Sequence, residues 1–145
     1  MVSKTTLTLW FCRMILGIVF LISGILKLLD PVQFSEAILN YQVVGRTLSA
    51  WTAVLIPALE IIIGLGLISG IWLAESLMIT AGLYIVFDIM IGQAMIRGLD
   101  ISCGCFNPSE SGPIDFFKIM QNIILTSLSF LALFLKLAQS DKLPH

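Results

Sequence analysis

The sequence predicts an all-α fold: a polytopic membrane protein with a four-transmembrane-helix bundle and a short interfacial helix in the first loop. Three observations carry that expectation. Of 145 residues, 58% are hydrophobic and only 12% are charged, against about 25% charged in a typical soluble domain. A chain this short keeps much of its surface turned outward, so such a charge deficit means an outside that faces lipid. Four apolar runs each reach the roughly 20 residues that cross about 30 Å of hydrocarbon. Trp10, Trp51 and Trp72 each stand near the start of a run, where an amphipathic ring anchors at the interface. Residues 1–145 read as a single membrane domain.

The elements follow in order. The first span covers residues 7–29. Lys4 and the apolar stretch after it imitate a secretory signal, but the run is too long, no small-x-small site follows, and it ends at Lys27-Leu28-Leu29-Asp30-Pro31. It is expected to remain as an uncleaved span. In the next loop, Asp30-Pro31 is a helix-start signal, and Phe34, Ala37, Ile38 and Tyr41 recur on one helical face. The second span covers 48–69 and the third 72–96, joined by a tight Ser69-Gly70 turn. The fourth covers 116–137. The loop between the last two, 97–115, holds Arg97-Gly98-Leu99-Asp100-Ile101-Ser102-Cys103-Gly104-Cys105-Phe106-Asn107-Pro108. Loops this rich in Gly, Pro, Ser and Cys usually carry function.

Four spans put both termini on one side and the first and third loops on the other. Basic residues barely distinguish the sides: Lys4, Arg13, Lys136 and Lys142 on one, Lys27, Arg46, Arg97 and Lys118 on the other. Paired thiols suit an oxidising compartment, so the expected placement is a cell membrane with cytoplasmic termini and an extracytoplasmic third loop. The formal net charge of −1 and the lack of a basic stripe argue against nucleic acid as a partner. Three cysteines are too few for a disulfide scaffold.

Ionisable side chains within spans are costly and face the bundle interior. A rise of about 1.5 Å per residue puts Arg13 about 9 Å, and Glu60 about 12 Å, from the terminal side, which predicts an Arg13–Glu60 pair. Lys27 and Asp88 fall near the opposite face, at the end that carries the cysteines. Arg13, Gly17, Phe20, Gly24 and Lys27 form one face of the first span, and its glycines permit close helix approach. Ala53, Pro57, Glu60 and Gly64 make a similar stripe on the second; Lys118, Asn122, Thr126 and Ser129 mark the fourth. These groups serve either as glue between helices or as a working site, and the sequence leaves both readings open.

Cys103-Gly104-Cys105 brings two sulfurs within reach of a small-ring disulfide, which Gly104 makes sterically accessible. Closing so short a loop restrains the unfolded chain little, so stabilisation is a poor reason for the pair. Strained, exposed disulfides are the labile and catalytic ones, and a cation such as Lys27 or Arg97 lowers a nearby thiol's pKa. Inert loop cysteines are an alternative. A metal site is disfavoured, because zinc needs four ligands and no further His or Cys stands close in sequence.

These segments resemble the DoxX-like group of four-helix membrane proteins, and more closely its methylamine-utilisation branch, the MauE family. The residues that carry the resemblance are Arg13 to Phe20, Ser23-Gly24-Ile25-Leu26-Lys27-Leu28-Leu29-Asp30-Pro31 with Phe34, Ile56-Pro57-Ala58-Leu59-Glu60, Arg97-Gly98, and Cys103-Gly104-Cys105-Phe106. The resemblance implies a role in disulfide chemistry outside the cytoplasm, beside a thioredoxin-like or disulfide-rich extracytoplasmic protein. The namesake branch is required for maturation of a disulfide-rich periplasmic dehydrogenase subunit. It also implies that Cys103 and Cys105 are the redox pair, and that Arg13, Lys27 and Glu60 are family-like polar positions. Family members commonly carry Gly after Cys-Gly-Cys-Phe; this chain has Asn107.

The expected activity is thiol-disulfide exchange at Cys103 and Cys105, with Asp88 a candidate proton relay. A quinone between helices is a candidate carrier, near Phe20, Phe87, Phe106 and Phe116, although no motif specifies one. The rival is a non-enzymatic anchor or assembly factor for a periplasmic redox protein. A transporter built on Arg13 and Glu60 ranks last, because no broken-helix pair or internal repeat supports it.

Overall fold

A computed structural model describes residues 4–98 and 116–140. Its regular elements are helices: α1 (Lys4–Leu29), α2 (Pro31–Asn40), α3 (Arg46–Ser69), α4 (Leu73–Ile96) and α5 (Phe116–Ser140). Helices α1, α3, α4 and α5 are long and apolar enough to cross a membrane. Their outer faces expose Ile15, Ile22, Leu55, Ile62, Ile89, Ile124 and Phe134, among others. In water such a surface would be an aggregation liability; in lipid it is the matched solvent. The all-α, four-span fold class expected from composition is the one observed.

The best-packed seam joins α1 to α3. A Cβ added to Gly17 would stand 2.7 Å from the Ile68 side chain, and one on Gly64 would stand 2.9 Å from the Gly17 carbonyl. One added to Gly24 would stand 2.8 Å from the carbonyl of Pro57. The absence of side chains at these positions brings the backbones together, which is how helices gain dispersion contact where lipid removes the hydrophobic drive. Leu9, Cys12, Leu16 and Phe20 of α1, Ile63 and Leu67 of α3, Leu77 and Tyr84 of α4, and Leu125 and Ala132 of α5 complete one interior cluster.

Helix α2 is made by the residues that announced it. Asp30 caps it, accepting from the Gln33 N–H at 3.0 Å, and Pro31 occupies the first turn, where its missing N–H is harmless. Phe34, Ala37, Ile38 and Tyr41 are all buried. Phe34 and Ile38 pack on Ala53 of α3, and the Ser35 and Ser49 hydroxyls meet at 3.0 Å. At ten residues, α2 is too short to span. It lies across the end of the bundle, where Tyr41 packs on Ala94 of α4.

The turn from α3 to α4 requires a left-handed residue. Gly70 supplies it with φ +78°, and its N–H closes on the Gly66 carbonyl at 2.9 Å.

Candidate functional site

Near the end of α1, Lys27 is 1% exposed, and its ammonium lies 2.6 Å from Oε1 of Glu60, itself 3% exposed. The Ser23 hydroxyl, one turn before Lys27 on α1, also hydrogen-bonds the Glu60 carboxylate. The rings of Phe34 from α2 and Phe87 from α4 stand 5.1 and 5.0 Å from the ammonium. Their negative faces stabilise a desolvated cation. One anion and two aromatic faces therefore hold a charge that the bilayer would otherwise reject.

The expected Arg13–Glu60 pair is not formed. Arg13 instead reaches Gly70, where a Cβ would stand 2.5 Å from its Nη1, at the C-terminal end of α3 and so at the negative end of the helix dipole. Two physical effects explain the difference. The helix ends are not flush: about 13 Å of α1, from Lys4 to Arg13, extends past the level of Gly70. Depths measured from the two ends therefore refer to different planes. Helical side chains also lean toward their own N-terminus. On antiparallel α1 and α3, Lys27 leans down and Glu60 leans up, so they converge, whereas Arg13 and Glu60 lean apart.

Asp88 lies on α4, one turn beyond Tyr84. Its carboxylate accepts from Asn122 Nδ2 at 2.5 Å and from Thr126 Oγ1 at 2.7 Å, so the polar stripe on α5 is its partner. The two polar groups meet at an internal cavity of about 30 Å³, lined by Val19, Phe20, Ser23, Lys27, Glu60, Tyr84, Phe87, Asn122 and Leu125. Phe20 and Phe87, anticipated from the aromatic-rich bundle end, are both there. The volume is about one-tenth of a typical small-molecule site. This cavity is too small for a quinone.

Tyr84 escaped the sequence reading. It stacks edge-on against Phe20 at 5.3 Å. Its signal was the spacing to Asp88: positions four apart share a helix face, so an inward Asp88 implied an inward Tyr84. Cys103 and Cys105, with Phe106, lie outside the described residues, as do the side chains of Phe116 and Lys118. Cys12 is described; it is a buried free thiol on α1. Among the described residues no cluster of three or more His, Cys, Asp or Glu could hold a metal ion.

The family model described as "Methylamine utilisation protein MauE" matches residues 5–135. The chain belongs to the MauE family. Two curated relatives point the same way. The "Methylamine utilization protein MauE" of Paracoccus denitrificans is 26% identical over 124 residues, covering 85% of this chain and 67% of its own length. The protein of the same name from Paracoccus versutus is 26% identical over 121 residues, covering 83% of this chain and 65% of its own length. This chain thus spans about two thirds of the MauE relatives it matches. No solved structure matches it. The matched segment includes Lys27, Glu60, Asp88 and Asn122, and so the whole polar interior of this MauE-family bundle.

Proposed function

We propose that this MauE-family chain is a multi-pass membrane component of methylamine utilisation that supports disulfide formation in an extracytoplasmic protein. Cys103 and Cys105 are the exchanging pair, and their partner is a thioredoxin-like or disulfide-rich protein. The family match supports the setting, and the Cys103-Gly104-Cys105 spacing supports the chemistry. One structural observation favours the combination. The segment that carries both thiols leaves α4 about two turns after Asp88 and enters α5 about two turns before Asn122. The thiols are thus tethered to the end of the bundle where the buried charges gather.

A single exchange balances. One partner thiolate attacks the Cys103–Cys105 disulfide and displaces one of the two cysteines as a thiolate, giving a mixed disulfide. The second partner thiolate attacks that bond, closes the partner's disulfide and releases the other cysteine thiolate. Two electrons have then moved from the partner to the pair, and the reverse sequence, a second disulfide acting as the oxidant, restores the pair. The same reading orients the chain with cytoplasmic termini and the cysteine loop in the oxidising compartment. The wider DoxX-like kinship belongs to this proposal as well.

A second reading, a non-enzymatic anchor for a redox protein, is favoured by the cavity beside Lys27 and Glu60, which at about 30 Å³ is itself too small for a resident organic carrier. Serine substitution separates the two. Under the exchange reading, Cys103→Ser or Cys105→Ser accumulates a covalent adduct with the partner through the remaining thiol, released by reductant. A double Cys→Ser variant that fully supports growth on methylamine leaves only the anchor. Labelling of the wild-type thiols by a membrane-impermeant reagent, from outside and not from inside, tests the orientation.

A further inference from the structure

The polar interior contains an unmet demand. Glu60 Oε1 is held by Lys27, but Oε2 is buried with no hydrogen-bond partner among the described residues. A carboxylate oxygen left bare in a low-dielectric interior is costly, and buried polar groups in folded proteins are almost always satisfied. Glu60 lines the cavity of about 30 Å³. A water molecule needs at least about 10–15 Å³ of such space, with two to four polar partners.

Those partners are present. Asn122 lines the cavity and donates its amide N–H to Asp88, and its side-chain carbonyl oxygen can accept a further hydrogen bond. Ser23, Lys27 and Tyr84 are the other polar side chains of the lining. A water that donates one hydrogen to Glu60 Oε2 and the other to the Asn122 carbonyl satisfies the bare carboxylate oxygen. Apolar cavities stay dry even when larger; this one has polar side chains on its wall.

We infer that an ordered internal water bridges Glu60 to Asn122. It joins the Lys27–Glu60 pair of α1 and α3 to the Asn122–Asp88–Thr126 network of α4 and α5. The two halves of the bundle thereby share one hydrogen-bonded core, and a change in the charge of Glu60 reaches Asp88 through two intervening groups. This inference is independent of the cysteines and stands whether or not they exchange.

The test is infrared difference spectroscopy on the full chain in lipid nanodiscs, with ordinary water exchanged for H₂¹⁸O. A discrete, strongly hydrogen-bonded O–H band that shifts on exchange is expected in the wild type, together with a carboxylate band that Glu60→Gln removes. Leu125→Phe fills the cavity without removing a polar atom, and Asn122→Leu removes the second anchor. Each should abolish the water band and displace the Glu60 band, while circular dichroism reports an intact helical fold. Absence of an ¹⁸O-sensitive band from the wild type, which needs no variant, overturns the inference. So does a Glu60 band unmoved by either substitution in a folded protein.

Discussion

The ammonium of Lys27 and the carboxylate of Glu60 meet at 2.6 Å across the α1–α3 seam, both almost wholly buried. The pair sits beside Gly24, where the backbones of α1 and α3 come within van der Waals range. Close approach and charge pairing depend on each other here: the missing side chain of Gly24 sets the gap that the two long side chains bridge.

Breaking this pair from one side is expected to be costly. Lys27→Met keeps the volume of the stem but leaves Glu60 with an uncompensated buried charge, which destabilises by about 3–5 kcal/mol. The double variant Lys27→Met, Glu60→Leu removes both charges and recovers much of that loss, because desolvation then costs nothing. Reversible unfolding in mixed micelles measures the series. Additive losses in the double variant would show that the two groups do not interact.

Gly24→Ala is expected to force the helices apart, because its methyl would meet the Pro57 backbone carbonyl, which cannot rotate away. Overpacking of this kind costs about 1–3 kcal/mol. Gly82→Ala on α4 has open space around its Cβ, and the gain in helix propensity, up to about 1 kcal/mol, makes it neutral or mildly stabilising. Comparing the two variants in one unfolding assay checks the seam against a lipid-facing control.

Asp88→Ala strips Asn122 and Thr126 of their shared acceptor. Hydrogen bonds between membrane helices average about 0.6 kcal/mol, with a maximum near 1.7, so a loss of about 1–3 kcal/mol follows. Asp88→Asn keeps an acceptor oxygen and should lose less. Equal losses in the two variants would mean that the acceptor oxygen kept by Asn contributes nothing at this position.

Tyr41 provides a pH signature at the end of the bundle, outside the spans. Burial pushes its phenol up from the ordinary value of 10.0 to about 12. The neutral form is favoured in the folded state, so this contribution is intact below the unfolded pKa, near 10, and is lost as pH rises through 12. Two units correspond to at most about 3 kcal/mol. Stability measured from pH 9 to 12 should fall in the wild type and fall less steeply in Tyr41→Phe. Parallel curves would remove Tyr41 as the cause.

Apolar length and punctuation made the fold readable. Asp30-Pro31 and the 34-37-38-41 face foretold α2 because capping and periodicity are local, and the glycine stripe on α1 foretold a close helix approach, whose partner the structure identifies as α3. The pairing of Glu60 was not readable in the same way. Composition nominated Arg13, Lys27 and Glu60 alike; the choice among them depended on how far α1 projects past α3 and which way each side chain leans, and both are tertiary facts. Asp88 was recognised as interior, but its partners lay on α5 at a register that no single helix specifies.

The antiparallel lean of Lys27 and Glu60 also bears on how the protein is made. Thirty-three positions separate the two residues, so the ribosome delivers Lys27 to the membrane well before its counter-charge exists. Two residues from the end of α1, its ammonium can wait at the headgroup level by extending its flexible stem. Arrival of α3 then draws it inward. Final seating of the first helix is in this sense a late event in biogenesis, completed only once the third has been synthesised.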